Sequence, residues 1–457
     1  MAGGKHDSTR IDLTRTLELL REHITQALCG AAFQKVRSTQ RQRRWSLWAL
    51  VQFWIAIVLR APPSLSQALV ELGEGRLPLG QPVEATDQAF FERCKNLTWR
   101  FFAQVFRQFI AGLLRFAKPR YRSDLSDLRE RFTDVLVIDG SRLAAVARKL
   151  KILWNERSVV LPGCLIALYD LFRGIPRILE FCADAAASES KRALAVLDQV
   201  NAGVLIVGDR LYCTAQFFGK LGQRGVFGVF RRNKRLGLRR TTAKPLRKKR
   251  CLGGLLVEYL VEAGSGQTAA KQELRLIRFK KGRQVRELLT NVLDSKRLSA
   301  EEAMDLYPAR WTVERMYYDL KVVLNLNRVY AANPNAVGMQ VYASALVYTA
   351  MRIAQGEVAE KAGITPEEIS PAKFFPKIAA ACAAYIFTEW GVAEVIRLNP
   401  EKRIRRPRWK GRRFTTVDVE DVRTRPRAGR RRKRRYCKAR RHWKSFSHVR
   451  GGRKLTW

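Results

Sequence analysis

Apolar positions recur at helical spacing from the start of this chain. Leu13, Leu17, Leu20, Ile24 and Leu28 fall on one face of a helix over Ile11 to Leu28. Trp45 to Leu59 is almost continuously apolar, with Gln52 inside it, and reads as a buried helix. Over Phe90 to Ala117, Phe101, Phe102, Phe106 and Phe109 alternate with Arg100 and Arg107. A core stripe with a basic outer face and a DNA-contacting helical domain both fit that pattern. Residues 1–125 are therefore expected to be a helical N-terminal region and a candidate DNA-binding part.

Beyond residue 130 the period changes. Val135–Ile138 is a continuous β-branched and aliphatic run that suits a strand buried on both faces, and it ends in Asp139-Gly140-Ser141. Leu165 to Leu171 and Ile175 to Cys182 flank Phe172-Arg-Gly-Ile and predict a hairpin. Ser188 to Val200 reads as a helix, Val204–Val207 as a second buried strand ending in Gly208-Asp209-Arg210, Ala215 to Leu221 as a helix and Val226 to Phe230 as a strand. Strand, hairpin, helix, strand, helix, strand is the order of a mixed α/β layer. A basic, Pro-containing linker (Arg239 to Arg250) then opens a β-rich insertion at about 235–286, with strands over Leu255–Glu262 and Glu273–Phe279 around Gly264–Thr268. Leu288 to Leu293 is either the last strand of that insertion or a return to the main sheet. Ser299-Ala-Glu-Glu302 has the form of a capping box, and Pro308 should kink or restart the helix it begins. Val313, Met316, Tyr317, Leu320 and Leu324 mark the face that should pack on the sheet. The catalytic core is thus expected over 126–330, and a helical layer over 331–400 from Asn335–Ala354, Ile378–Tyr385 and Val392–Leu398. From Glu401 to the end, basic runs such as Arg430–Arg435 dominate, and a disordered or DNA-contacting tail is expected. Trp409, Tyr436, Trp443 and Phe446 are interleaved with it.

Charge narrows the partner. The 457 residues carry 86 Lys and Arg against 41 Asp and Glu, a net charge of +45. Such a field is wasted on a small neutral metabolite and points to a polyanion, with nucleic acid first and an anionic membrane surface second. The longest apolar run falls short of the roughly 20 residues that span a bilayer. With no apolar stretch behind the first residues, a cytoplasmic, nucleoid-associated protein without a membrane role is expected. The eight cysteines include no C-x-x-C pair, which suits reduced thiols. All four histidines (His6, His23, His442 and His448) lie near the ends, so a central site must work with carboxylates.

Those carboxylates are identifiable. Asp139 and Asp209 each close a buried strand, where the backbone is fixed and the side chain escapes the core; each could equally be a turn or cap residue. Tyr307, Arg310, Glu314 and Lys321 stand at offsets 0, 3, 7 and 14. On a helix these span an arc of about 60°, which is also the spacing of ordinary stacked surface pairs. Three carboxylates without histidine suit a hard divalent cation such as Mg²⁺. Arg210, Arg310 and Lys321 would offset their repulsion of DNA.

The spacing Tyr307-x2-Arg310-x3-Glu314-x6-Lys321 resembles the signature of DDE transposases of the insertion-sequence-four family, which includes the Tn-five-type enzymes. Asp209-Arg210-Leu211-Tyr212 is similar to that family's second-aspartate block and Asp139-Gly140-Ser141 to its first. The β-rich insertion lies where the family interrupts its RNase H-like fold, and the resemblance covers roughly 130 to 350. It implies an RNase H-like mixed-sheet core in which Asp139, Asp209 and Glu314 bind two Mg²⁺ or Mn²⁺ ions. It further implies that Tyr307, Arg310 and Lys321, joined by Arg210, contact phosphates at the transposon end. The implied activity is metal-dependent cleavage at transposon ends and strand transfer of the 3′-hydroxyl into target DNA, by a homodimer on paired ends. A catalytically decayed regulator of transposition and an RNase H-fold nuclease without strand transfer are the alternatives. Trp311 is expected to pack rather than stack on a base.

Overall fold

The computed structural model describes residues 10–37, 43–77, 79, 83–143, 163–251, 253–264, 271–331, 333–382 and 416–424. A strand β1 (Arg10–Asp12) precedes helices α1 (Arg15–His23), α2 (Gln26–Gln34), α3 (Leu47–Arg60), α4 (Leu65–Gly73), α5 (Asp87–Asn96) and α6 (Arg100–Leu113). Strands β2 (Val135–Arg142), β3 (Cys164–Asp170) and β4 (Ile175–Cys182) follow, then α7 (Glu189–Val196), β5 (Leu205–Gly208), α8 (Ala215–Gln223) and β6 (Phe227–Arg231). Next come β7 (Leu238–Arg240), β8 (Arg247–Cys251), β9 (Gly254–Ala263), β10 (Gln272–Lys281) and β11 (Gln284–Thr290). The chain continues through α9 (Ala300–Leu306), α10 (Trp311–Tyr318), α11 (Pro334–Lys361) and α12 (371–382) to β12 (Thr416–Asp418) and α13 (Val419–Val422). Parallel and antiparallel strand pairs make this the mixed α/β, RNase H-like class that the sequence predicts.

The described chain divides into two units. The first takes the residues up to Asp124, with Asp139–Arg192 and Val313–Thr424; the second takes Leu125–Ile138 and Ala193–Thr312. Strand β2 therefore passes from one to the other at Ile138–Asp139.

In the first unit, α11 is the central element. It is buried from Ala336 to Ala359 with few exceptions, as befits a helix apolar on every side. It packs on α1, α3, α6 and β4. The expected buried helix is α3, whose Leu50, Val51 and Phe53–Ile57 have no exposed surface. Among the described residues no single helix is long and apolar enough to cross a membrane. Side chains of Thr25, Ser46, Ser64 and Thr86 each cap a helix by accepting an amide from the turn above. The Thr25 cap corrects one expectation: Ile11–Leu28 is not a single helix but β1, α1 and the start of α2. Strands β3 and β4 form the predicted hairpin, from Cys164↔Cys182 to Asp170↔Ile175.

Residues 416–424 depart from the expected tail. Strand β12 pairs antiparallel with β1, Val417, Val419 and Val422 are buried, and Arg423 bridges Glu368 (2.7 Å) and Glu420 (2.8 Å). The helix expected at Val392–Leu398 and the aromatic residues of the tail lie outside the described residues.

In the second unit, β2 pairs parallel with β5 and β5 parallel with β6. Antiparallel pairing then runs β6–β11–β10–β9, and both β7 and β8 pair with β9. Strand β11 answers both readings of its segment, because it closes the insertion against β10 and returns to the main sheet at β6. The stretch read as a basic linker is instead the strand pair β7 and β8. Strand β8 is Arg-Lys-Lys-Arg-Cys with its four basic residues exposed, a charged edge strand with no apolar alternation to reveal it. Arg247 and Lys249 of β8 reach Glu301 of α9 at 3.2 and 2.9 Å, which ties the insertion to the helix leading into the signature.

Candidate active site

Asp139 stands in the first unit, toward the end of β2, where the Gly140 amide donates to its Oδ1 at 3.0 Å. Helix α10 is strapped to the same place. The Tyr317 hydroxyl donates to the Asp139 carbonyl at 2.8 Å, and Lys321 Nζ donates to Ser141 Oγ (2.7 Å) and the Arg142 carbonyl (2.8 Å). Glu314 lies one helical turn before Tyr317, so these bonds also orient the side of α10 that carries it. The face predicted to pack inward does so: Val313, Met316, Tyr317, Leu320 and Leu324 are all buried.

A fourth carboxylate joins this end of β2. A Cβ placed on Gly140 would come within 2.3 Å of the Glu189 carboxyl carbon, so glycine leaves the space that Glu189 fills. The Tyr317 phenol is pushed well up, first by burial and then by the negative charges of Asp139 and Glu189. Sequence reasoning took Glu189 only as part of a helix. Its one local signal was its place in the first turn of α7, where any acid is favoured.

The signature is not one continuous α-helix. Helix α9 begins with the predicted capping box on Ser299 and Glu302. A tighter 3-10 turn follows over Tyr307–Arg310, then α10, then a wider π-helical turn over Asp319–Val323. Pro308 has no N–H and cannot continue the α-helical ladder, which accounts for the break at the predicted place. The uniform 100° spacing behind the 60° arc therefore does not hold along the whole signature.

The second unit holds Asp209, Arg210, Tyr307 and Arg310. Asp209 follows β5, and its Oδ1 accepts from the Arg210 amide at 2.7 Å. Register places Val137 opposite Val207, and a Cβ on Gly208 would meet Ile138 Cγ2 at 2.7 Å. Asp139 and Asp209 are the next residues along those two parallel strands. Tyr307 is buried, and its hydroxyl has no hydrogen-bond partner among the described residues. Burial pushes this phenol up to about 12; the Arg310 cation opposes the rise and the Asp209 charge adds to it. Arg310 lies over the Trp311 ring at 4.1 Å from its centroid, so Trp311, 38% exposed, is covered on one side by a cation rather than packed in the core.

Asp209 also borders a cavity of about 970 Å³. Arg210 and Leu211 form one wall, residues from Arg231 to Arg235 at the end of β6 a second, and Arg278, Arg283, Val285 and Glu287 of the β10–β11 hairpin a third.

Among the described residues, no three His, Cys, Asp or Glu side chains are gathered as a ready-made metal cage. Asp139, Glu314, Glu189 and Lys321 belong to the first unit and Asp209 to the second. The donors are all carboxylate oxygens, the chemistry that Mg²⁺ and Mn²⁺ prefer and soft metals do not.

Residues 131–350 match the family described as "Transposase DDE domain". This segment is a transposase DDE domain. It contains every carboxylate and cation singled out from the sequence. Relatives carry the same kind of name. A protein of Synechocystis sp., named as a transposase for the insertion sequence element IS4SA, is 32% identical over 99 residues, 21% of this chain and 28% of that relative. A Sinorhizobium fredii protein named as transposase y4zB is 21% identical over 187 residues, 41% of this chain and 52% of its own length. A Geobacillus stearothermophilus protein named as a transposase for IS5377 is 25% identical over 154 residues, 33% of this chain and 40% of that one. The chain thus spans about half or less of the relatives it matches. These likenesses establish the DDE domain without assigning it to one insertion-sequence family.

Proposed function

We propose that the chain is a DNA transposase of an insertion sequence. It cuts DNA at the element's ends and transfers the freed 3′-hydroxyl into target DNA, with Asp139, Asp209 and Glu314 as its acidic triad. The observation that carries this reading is the parallel register of β2 and β5, which sets Ile138 beside Gly208 immediately before the two aspartates. The strap from Tyr317 and Lys321 to the end of β2 adds the reason that Glu314 belongs with Asp139. A divalent ion, one or two Mg²⁺ or Mn²⁺, would be held by these three carboxylates and would supply charge stabilisation for attacking and leaving oxygens.

The chain's own residues do the rest. Lys321, held by Ser141, keeps a cation beside Asp139. Arg310 and Arg210 place cations near Asp209, and Tyr307 offers a hydroxyl without a partner; all four are assigned to DNA phosphates. The basic chain brings the polyanion to the site. The partners in this reading are duplex DNA, as element ends and target, and a second copy of the chain on paired ends, in the nucleoid.

Asp139→Ala, Asp209→Ala and Glu314→Ala should each lower cleavage of an end-bearing plasmid by roughly 10³-fold or more while leaving DNA binding in place. A pre-cut end with a free 3′-hydroxyl separates transposase from nuclease, since only the former joins it to a second DNA. Near-normal cleavage by any one variant removes that residue from the triad.

A further inference from the structure

The cavity beside Asp209 has more cations than its neighbours neutralise. Glu287 pairs with Arg232 at 3.0 Å and with Arg278 at 3.5 Å. Arg210, Lys234, Arg235 and Arg283 also line the cavity, and their side chains form no ion pair among the described residues. All four are exposed. Two aliphatic side chains stand among them with their surfaces open, Leu211 at 42% and Val285 at 43%. A wall that combines unpaired cations with bare aliphatic surface matches a ligand that is anionic at intervals and apolar between them.

Size then selects the form of that ligand. A volume of about 970 Å³ equals a cube roughly 10 Å on a side, narrower than the major groove of a duplex at about 12 Å. A double helix cannot enter, whereas one strand can, with phosphates on the guanidinium and ammonium groups and base or sugar faces against apolar side chains. We propose that this cavity is a single-strand DNA site, in which Arg210, Lys234, Arg235 and Arg283 hold the backbone of an unpaired strand next to Asp209. The proposal rests on the transposase reading, under which an unpaired or frayed strand arises where the DNA is cut.

The test compares fluorescence anisotropy of the full chain with an oligothymidine of about twelve nucleotides and with a duplex of the same length, each under rising salt. Lys234→Glu/Arg235→Glu alters the cavity. Lys248→Glu/Arg250→Glu, on exposed β8 outside the cavity, makes the same change in net charge. The cavity pair should weaken single-strand binding about tenfold or more and flatten its log–log salt slope by roughly 1 to 2, with duplex binding changed less than about threefold. The β8 pair should shift both ligands by a similar, smaller factor. Equal losses from the two pairs, or a cavity pair that loses duplex and single strand alike, would overturn the proposal. Pyrophosphate competing as well as the oligonucleotide would overturn it too, because the cavity would then hold phosphate alone. Cleavage by Asp209→Asn reads the other claim separately. Retained cleavage would sink the transposase assignment, and unchanged single-strand binding in the cavity pair would sink this one.

Discussion

Asp319 is buried to 2% exposure in the wide turn that follows α10, and its Oδ2 has no hydrogen-bond partner among the described residues. The facing cation Arg352 spends its donors on the Gly174 carbonyl (3.0 Å), Gln355 Oε1 (2.8 Å) and the Tyr169 hydroxyl (3.2 Å). Burial therefore wins over Arg352 and Arg315 and raises the carboxyl from 3.8 to about 6. A raised acid binds its proton more tightly folded than unfolded, so stability should fall as pH climbs from about 4 to about 6. Asp319→Asn should remove that slope and raise stability at neutral pH by at most about 3 kcal/mol, read from urea unfolding across the range. Superimposable pH profiles for the two proteins would show that Asp319 is not the group responsible. At this scale the sequence was informative where a residue's role is fixed by its neighbours in the chain. Asp139 and Asp209 were legible because buried strands lead into them. Glu189 was not, since only the fold brings α7 over Gly140, and neither was Asp319, whose burial is set by distant segments.

Elements obey the same division. Strands β2, β5 and β6 and helices α8, α9 and α11 were readable from apolar runs, periodicity and caps. Strands β7 and β8 were not, because their stability comes from pairing with β9 and not from any apolar face of their own. The single continuous helix inferred from 100° spacing breaks up because Pro308 and the wide turn at Asp319–Val323 each change the local period. Pairing of β2 with β5 depends on a close approach at Gly208, where a Cβ would meet Ile138 at 2.7 Å and the Phe230 ring at 3.0 Å. Gly208→Ala should therefore destabilise the fold by about 1–3 kcal/mol through overpacking and should lower cleavage more than its stability loss explains, because it pushes apart the strands that present both aspartates. Unfolding and cleavage measured on the same preparation check this, and a stable, fully active variant would detach the register from the chemistry. Gly140→Ala differs in kind: its Cβ meets the movable end of Glu189, so it should leave stability nearly unchanged.

For the whole molecule, charge and chemistry are separate properties. The net charge of +45 gathers DNA of any sequence, and residues 425–457, which contain no acid, contribute strongly to it. Removing them should weaken non-specific duplex binding and lower the log–log salt slope by roughly 0.9 for each phosphate that is no longer neutralised, with the triad variants unaffected in that respect. An unchanged slope would mean that this segment does not touch DNA. The central claim is that Asp139, Asp209 and Glu314, drawn from two units, hold divalent ions together. The most direct measurement replaces the ion with Fe²⁺ and maps the backbone cuts made by the radicals it generates. Clustered cuts beside all three residues, abolished together by Asp209→Asn, are the expected result. Cuts confined to the neighbourhood of Asp139 and Glu314, and indifferent to Asp209→Asn, would contradict it.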